Sequence, residues 1–227
     1  MAATDPRADS AVPVTAVGTR ERILEAAGGL FRDRGYEGTS ISDIGRAVGI
    51  SGPAVYHHFA GKQRILFICC ERAALTQIEQ GQRALAEPTP LQQLVAFVYA
   101  DCVYQLRSLQ AARRYGSGAY TFRELVKVLT EDDQRHINDL RRTLFDTPRT
   151  IIRAGIADGS FEMVDPTATS FALFGMTHQA VAWFHLDGRL AVEELARTYA
   201  YQAAKMLLPN PRADGLRAQL SDLAPPA

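Results

Sequence analysis

The stretch ISDIGRAVGISGPAVYHHF, residues 41–59, constrains the fold more than any other part of this chain. Its first half has the apolar spacing of an amphipathic helix. Gly-Ile-Ser-Gly-Pro then interrupts that spacing, which resumes immediately afterwards. A globular core does not require such an interruption. Two very short helices held at a fixed angle do require it, because Gly49 ends the first and Pro53 is tolerated in the first turn of the second.

Apolar residues keep helical spacing through almost the whole chain, which predicts an all-α protein. We find no alternating strand pattern bounded by turn residues and no internal repeat. Stop signals divide the chain into ten predicted helices. These are Thr19–Arg34, Ile41–Val48, Ser51–His58, Gly61–Ala86, Leu91–Arg107, Leu109–Tyr115, Phe122–Leu129, Asp132–Ala157, Pro166–Leu186 and Val192–Leu208.

Composition limits the class of protein. The chain has 227 residues, of which 47% are hydrophobic and 22% charged, as in ordinary globular proteins. It contains no run of uncharged apolar residues long enough to predict a transmembrane helix, and its N-terminal stretch lacks the basic start and apolar core of a secretory signal. Three cysteines form no disulfide framework, so we expect a reducing compartment, the cytoplasm. The formal net charge is zero, so a nucleic-acid partner must be argued from a local surface.

The stretch at residues 41–59 has the plan of a helix-turn-helix. Ile41, Ile44 and Val48 form one apolar face of its first helix, and Val55 and Phe59 face the same way from its second. A helix of this kind can enter a DNA major groove and present its first residues to base edges. Residues 19–65 carry seven basic and five acidic side chains, which favours DNA modestly. The alternative is an ordinary helical corner. The residues of the second helix that are left facing outward are Ser51, Gly52, Tyr56, His57 and His58.

Residues 22–66, RILEAAGGLFRDRGYEGTSISDIGRAVGISGPAVYHHFAGKQRIL, resemble the N-terminal DNA-binding region of TetR-family transcriptional regulators. The resemblance rests on the segment G-Y-x-x-T-S-I-x-D-I, the turn A-V-G-I-S, the Y-H-H-F end of the recognition helix, and Lys62 at the start of the next helix. Pro53 is less usual in this pattern, and we expect it to alter which base edge is contacted.

The resemblance implies two kinds of DNA contact, because phosphate contacts fix register and base contacts choose sequence. Thr39 and Ser40 would donate hydrogen bonds to phosphate at the positive end of their helix. Tyr56 and Lys62 would add phosphate contacts. The implied base-contacting residues are Ser51, Gly52, Pro53, Ala54 and His57, while His58 either joins them or packs at the helix end.

The resemblance also implies a homodimer on a near-palindromic operator in double-stranded DNA. We therefore divide the chain into a flexible arm at residues 1–18, a helix-turn-helix DNA-binding domain at 19–66, a helical ligand-binding and dimerisation domain at 67–208, and a flexible tail at 209–227. Small residues along the last two long helices suit pairing between subunits. The alternative is that these faces are buried within one subunit.

The larger domain is predicted to hold a small hydrophobic effector. A cavity needs a few polar groups to orient its guest, and Asp101 and His178 stand among apolar neighbours. The run AWFHLDGRLAVEELARTYA is similar to a subgroup linked to lipid or steroid catabolism, which implies an acyl-CoA effector. The candidate effector-binding residues are Phe97, Asp101, Cys102, Tyr115, Tyr120, Phe122, Phe145, Met176, His178 and Trp183.

Two rival functions are weighed against this one. An enzyme is disfavoured because the chain shows no paired nucleophile and base, no Gly-rich phosphate loop and no zinc spacing; we expect no catalytic site, metal or cofactor. A redox-sensing regulator would use Cys69, Cys70 or Cys102. Adjacent helical cysteines point apart and bridge poorly, so buried structural thiols are expected instead.

Overall fold

The computed structural model describes residues 18–113, 122–185 and 187–209. Within these ranges the chain forms nine α-helices and no β-strand, which confirms the all-α prediction. The helices are α1 (Thr19–Arg34), α2 (Ile41–Val48), α3 (Gly52–Tyr56), α4 (Lys62–Leu85), α5 (Pro90–Arg113), α6 (Phe122–Val126), α7 (Glu131–Ala157), α8 (Pro166–Trp183) and α9 (Val192–Leu207). None of them is long and apolar enough to cross a membrane.

A capping box fixes the start of α2. The Asp43 backbone N–H donates to the Ser40 hydroxyl oxygen at 3.1 Å, and the Asp43 carboxylate accepts from the Ser40 backbone N–H at 3.1 Å. Hydrogen bonds from Ser40 also hold the pKa of the Asp43 carboxyl below its usual value. These bonds satisfy two of the amides that a helix start leaves without partners.

Two glycines set the turn between α2 and α3. Gly49 ends α2 in the left-handed conformation, with φ of 76°. A Cβ on Gly45 would lie 2.8 Å from the carbonyl oxygen of Ile50, closer than real Cβ atoms come. The turn can therefore fold back on α2 only because residue 45 has no side chain, and this close packing fixes the angle of α3.

The predicted division of the fifth helix is wrong. α5 continues without a break to Arg113, whereas the sequence prediction divided it near Ser108. No glycine or proline interrupts residues 106–113, so nothing ends the helix there. α3 ends at Tyr56, because the N–H groups of His57 and His58 donate three residues back, to Ala54 and Val55. The other boundaries agree to within three residues.

Buried side chains form three core clusters. The first packs α1, α2, α3 and the start of α4 together with α6 and Ile137 of α7. It extends beyond residue 66, where the sequence divides the domains, since Phe67, Ile68 and Cys70 belong to it. The second cluster joins α4, α5, α7, α8 and α9, and the third lies where α5 meets α8 and α9. α5 is the central helix, in contact with α1, α4, α7, α8 and α9.

Candidate functional site

The helix-turn-helix presents a polar surface beside an open groove, here called the α2–α3 groove. The groove has a volume of about 360 Å³ and is lined by Ser40, Ile41, Ser42, Gly52, Pro53, Tyr56 and Lys62. Tyr56 is 58% exposed, and Ser51, Pro53, His57 and His58 are exposed as well. Val55 and Phe59 are buried in the first core cluster. The apolar residues of this segment thus anchor α3, and its polar residues face outward.

Lys62 is fixed at the wall of the α2–α3 groove. Its Nζ donates to the Tyr36 carbonyl oxygen at 2.9 Å and lies 4.0 Å from the centre of the Tyr36 ring. Burial raises the pKa of Tyr36, so its phenol stays neutral beneath the ammonium. An ammonium carries three N–H donors, and two of them remain for an anion in the groove.

The structure corrects the predicted role of Thr39. This side chain is fully buried, and its hydroxyl donates to the carbonyl oxygens of Gly35, at 2.9 Å, and Leu30, at 3.2 Å. It ties the end of α1 to the segment that leads into α2. Because the hydroxyl is enclosed, the predicted phosphate contact from the Thr39 side chain is wrong.

Ser42 presents a further hydroxyl group to the α2–α3 groove. The Ser40 hydroxyl already donates to Oδ2 of Asp43 at 2.5 Å, so its hydrogen is used inside α2. Ser42, which the sequence analysis missed, is exposed in the first turn of α2 and lines the groove. A Cβ built on Gly52 would lie 3.1 Å from Oγ of Ser42, so α3 begins close to the Ser42 hydroxyl. Ser42 follows Ile41 in the first turn of α2, and this position near the N-cap is the signal by which the sequence could have identified it.

A buried carboxylate lies where α4, α5 and α8 meet. Asp101 is 5% exposed and accepts hydrogen bonds from the Thr177 hydroxyl, from Nε2 of Gln105 at 3.3 Å and from Nε2 of Gln77 at 3.5 Å. Nε2 of His178 lies 3.6 Å from Oδ2 of Asp101; this nitrogen is buried and makes no hydrogen bond. The structure thus brings Asp101 and His178, two of the candidate effector-binding residues, close together, and adds Thr177 and two glutamines. Among Thr177, Gln77 and Gln105, only Gln105 could have been predicted from helical spacing, because it lies four residues after Asp101.

Family models match both parts of this architecture. Residues 23–67 match the family described as bacterial regulatory proteins of the tetR family. Residues 87–207, more than half of the chain, match the tetracyclin repressor-like C-terminal domain. The chain belongs to the TetR family.

Relatives with known roles are similar over most of this TetR-family chain. The HTH-type transcriptional repressor KstR2 of Mycolicibacterium smegmatis is 25% identical over 191 residues, covering 79% of this chain and 86% of the relative. The TetR-family regulator PfmR from Thermus thermophilus has a solved structure with 30% identity and a TM-score of 0.70, covering 81% of this chain and 97% of that chain. AibR in complex with isovaleryl coenzyme A and operator DNA is 27% identical, with a TM-score of 0.69 and coverage of 84% and 98%.

The other predicted effector residues of this TetR-family protein occupy several places. Phe97 and Phe145 pack edge-on against Phe174, with ring centres 5.8 and 4.7 Å apart, and Met176 packs against the same core. Cys102 is fully buried in the third core cluster. Trp183 lies apart from this group, 45% exposed at the end of α8. The predicted residues Tyr115 and Tyr120 and the side chain of Phe122 lie outside the described part of the structure.

The thiols give no support to a redox sensor. Burial raises the pKa of Cys69, Cys70 and Cys102 to about 12 each, so all three remain protonated at neutral pH. A thiolate is the form that reacts with oxidants and disulfides. Across the described ranges, no group of three or more His, Cys, Asp or Glu side chains is placed to hold a metal ion.

The outer face of α8 exposes apolar and small side chains. Phe171 is 54% exposed, and Ala168, Ala172, Gly175 and Ala182 are exposed along the same helix, together with Trp183. Of the α9 residues that the sequence suggests for pairing, Leu195, Ala196, Tyr199, Ala203 and Met206, Met206 is exposed and Tyr199 is half-buried, whereas Leu195, Ala196 and Ala203 are buried within the subunit. They pack in core clusters shared with α5, and Tyr201 and Met206 are the large apolar side chains that α9 exposes.

Proposed function

We propose that this TetR-family protein is a homodimeric transcriptional repressor that binds a near-palindromic operator through α3 and leaves it when a small hydrophobic effector binds the larger domain. The exposed polar surface of α3 beside the α2–α3 groove is the observation that carries the proposal. The KstR2 relative is itself a transcriptional repressor.

The proposed DNA contacts are of two kinds: contacts with phosphate from the α2–α3 groove and contacts with bases from α3. Tyr56, Lys62 and Ser42 line the groove with a phenol, an ammonium and a hydroxyl, all of which donate to phosphate oxygens. Ser51 caps α3 by accepting from the Ala54 N–H at 3.3 Å, which leaves its own hydrogen free for a base edge. Pro53 and the two histidines stand beside it, exposed, and the small residues Gly52 and Ala54 allow close approach to the bases.

A second copy of the chain would cover the exposed face of α8. An apolar surface that includes half-exposed Phe171 and Trp183 is the kind that protein interfaces bury. Two-fold symmetry would then place the two recognition helices in successive major grooves, about 34–36 Å apart on one side of the duplex.

An acyl-CoA thioester is the proposed class of effector. AibR, with 27% identity to this chain, was solved with isovaleryl coenzyme A. The aromatic core around Phe174 suits an acyl chain, and Asp101 links that region to α4 through Gln77. An effector wedged among α5, α7 and α8 would shift the far end of α4, whose first residue is Lys62. The shift would change the spacing of the two recognition helices and remove base contacts in one half-site.

Competition between effector and operator tests this proposal. An operator is first selected from genomic fragments, and its binding is followed by fluorescence anisotropy while isovaleryl coenzyme A or free coenzyme A is added. We expect the thioester to release the DNA and free coenzyme A to leave it bound. Coupling is reciprocal, about 1–3 kcal/mol, so operator DNA must weaken thioester binding by the same factor. Equal thioester affinity with and without operator would rule out the mechanism.

A further inference from the structure

Three consecutive charged residues in the first turn of α1 each contact a different part of the molecule. The guanidinium of Arg20 lies over the ring of Phe59, just beyond α3, with Cζ 4.9 Å from the ring centre. The carboxylate of Glu21 accepts from Nη1 of Arg72 on α4 at 2.5 Å. The third residue, Arg22, contacts the end of α2. Neighbours in a helix point about 100° apart, so one turn of α1 can reach three other elements.

Arg22 holds the carbonyl group that ends α2. Its Nη2 donates to the carbonyl oxygen of Val48, the last residue of that helix, at 2.5 Å. The N–H groups of Gly49 and Ile50 donate to carbonyl oxygens earlier in α2, so they leave the Val48 oxygen for the guanidinium. The last carbonyl groups of a helix have no partner inside it, and a cation beside them is favourable because that end carries partial negative charge. A side chain of α1 therefore caps α2.

The capped carbonyl lies directly before the turn that sets the angle of α3. Ser51 is the N-cap of α3, only three residues after Val48. α3 has five residues, of which Val55 is buried. A helix this short does not hold its own shape or direction, so its orientation depends on what fixes its ends. The close approach of Gly45 to Ile50 fixes the turn within the helix-turn-helix, and the Arg22 bond ties the same turn to α1.

Two roles for the Arg22 guanidinium have different signatures in DNA binding. The side chain is exposed, and Val48 uses one of its five N–H donors. A phosphate contact would strengthen binding to every sequence and add to the salt dependence. A guanidinium that only holds the end of α2 would instead act through α3, on the contacts with bases. Arg22 is not among the residues that line the α2–α3 groove, which favours the second role.

We propose that Arg22 is a positioning residue for sequence recognition: it holds the end of α2 to α1 and thereby fixes the angle at which α3 meets the bases, without touching DNA itself. This inference rests on the proposed recognition of DNA by α3. The bond joins residues 26 apart in sequence and two different helices, so its loss frees the turn without removing any residue of α3.

The affinities for a selected operator duplex and for a scrambled duplex, measured by fluorescence anisotropy over a series of salt concentrations, test this role. Arg22→Met keeps the aliphatic part of the side chain and removes the donors and the charge. We expect the ratio of operator affinity to scrambled affinity to fall about fivefold or more, because the base contacts of α3 weaken. The slope of log affinity against log salt should not change, whereas loss of a phosphate contact would reduce it by about one unit.

Two further variants and a direct signal isolate the hydrogen bond. Arg22→Lys keeps a donor for the Val48 oxygen on a chain one bond shorter, so it should restore most of the ratio. Arg83→Met removes an exposed cation that pairs with Glu79 inside α4, and it should change neither the ratio nor the slope. In ¹⁵N-labelled protein, the amide signal of Gly49 reports on the bond, because this N–H belongs to the same peptide group as the Val48 carbonyl. It should shift in Arg22→Met and stay near its wild-type position in Arg22→Lys.

Three results would overturn the proposal. A salt slope reduced by about one unit in Arg22→Met would make Arg22 a phosphate contact. An unchanged affinity ratio in Arg22→Met, even with a lower melting temperature, would leave it a role in stability alone. Equal ratios in Arg22→Lys and Arg22→Met would show that the bond to Val48 does not matter. If Arg22→Met does not fold, Arg22→Gln, whose shorter side chain falls short of Val48, takes its place. Each of these results leaves the proposed repressor function intact, whereas a wild type that binds both duplexes equally would contradict that function as well.

Discussion

Thr39 and Ser42 carry the same hydroxyl group three residues apart, and burial gives the two groups different roles. Thr39→Val should lower the free energy of unfolding by about 1 kcal/mol, because the carbonyl oxygens of Gly35 and Leu30 lose their donor. It should leave the DNA affinity of the folded protein unchanged. Urea unfolding and fluorescence anisotropy measure the two quantities.

Ser42→Ala is the matched variant and should give the opposite pattern. Its hydroxyl is exposed in the α2–α3 groove, so stability should not change, while DNA affinity should fall by about 0.5–1.5 kcal/mol. Loss of DNA binding by Thr39→Val at full stability would restore the role that the sequence predicted for it.

The thiols of Cys70 and Cys102, which are buried, and of Cys69, which is half-buried, predict how labelling and stability depend on pH. With a pKa of about 12, Cys69, Cys70 and Cys102 hold about one ten-thousandth of their population as thiolate at pH 8. An aromatic disulfide reagent should therefore label the native protein far more slowly than the protein in denaturant. An unfolded thiol ionises near pH 8.5, so this contribution to stability is complete below that pH and is lost as pH rises toward 12. Rapid labelling of a native thiol at pH 8 would revive the redox alternative.

At the scale of helices, the α2–α3 turn depends on a backbone approach that a methyl group blocks. Gly45→Ala places a Cβ against the Ile50 carbonyl and should cost about 1–3 kcal/mol, with a loss of DNA affinity because α3 changes its angle. Gly49→Ala strains only the left-handed cap and meets open space, so it should cost about 1–2 kcal/mol with little effect on DNA binding by the folded protein. Thermal unfolding measures the stability of the two variants, and fluorescence anisotropy on the same samples measures their DNA affinity. Equal loss of DNA affinity in both would show that the close approach does not set the angle.

The Asp101 site joins three helices through its hydrogen bonds. Thr177→Val removes a donor from a buried carboxylate and should destabilise the protein by about 1–3 kcal/mol. Thr198→Val is the control, since its hydroxyl bonds only to the Glu194 carbonyl on the exposed side of α9. In urea unfolding, Thr177→Val should have a free energy of unfolding lower than that of Thr198→Val by at least about 1 kcal/mol, the net value of one hydrogen bond. Equal stability would mean that Asp101 is held by its other partners.

Local signals predicted the helices far better than the contacts between them. Ser40, Gly49 and Ser51 are caps, so the bounds of α2 and the start of α3 follow from neighbours in sequence. The Asp101–Thr177 bond joins residues 76 apart and depends on how α5 crosses α8, which no local pattern contains. The burial of Thr39 could not be predicted from local sequence either, because it depends on how the end of α1 packs over this residue.

At the scale of the whole molecule, the exposed face of α8 predicts the oligomeric state. Phe171→Glu and Trp183→Glu should convert a dimer into monomers, because each puts a charge into an apolar interface. Val95→Glu changes an equally apolar but separate exposed position, on α5, and should remain dimeric. Light scattering after size-exclusion chromatography gives the mass. A wild-type monomer at micromolar concentration, with and without operator, would contradict the dimer.

Binding of a selected operator duplex and a scrambled duplex, over a series of salt concentrations, tests DNA recognition by α3 most directly. Lys62→Ala should weaken binding to both duplexes alike and reduce the salt dependence by about one unit, and Tyr56→Phe should likewise spare the ratio of the two affinities. His57→Ala should instead lower that ratio, by about 1–3 kcal/mol. If the wild type binds both duplexes equally, or if all three variants change the ratio to the same degree, α3 and the α2–α3 groove do not divide base and phosphate contacts between them.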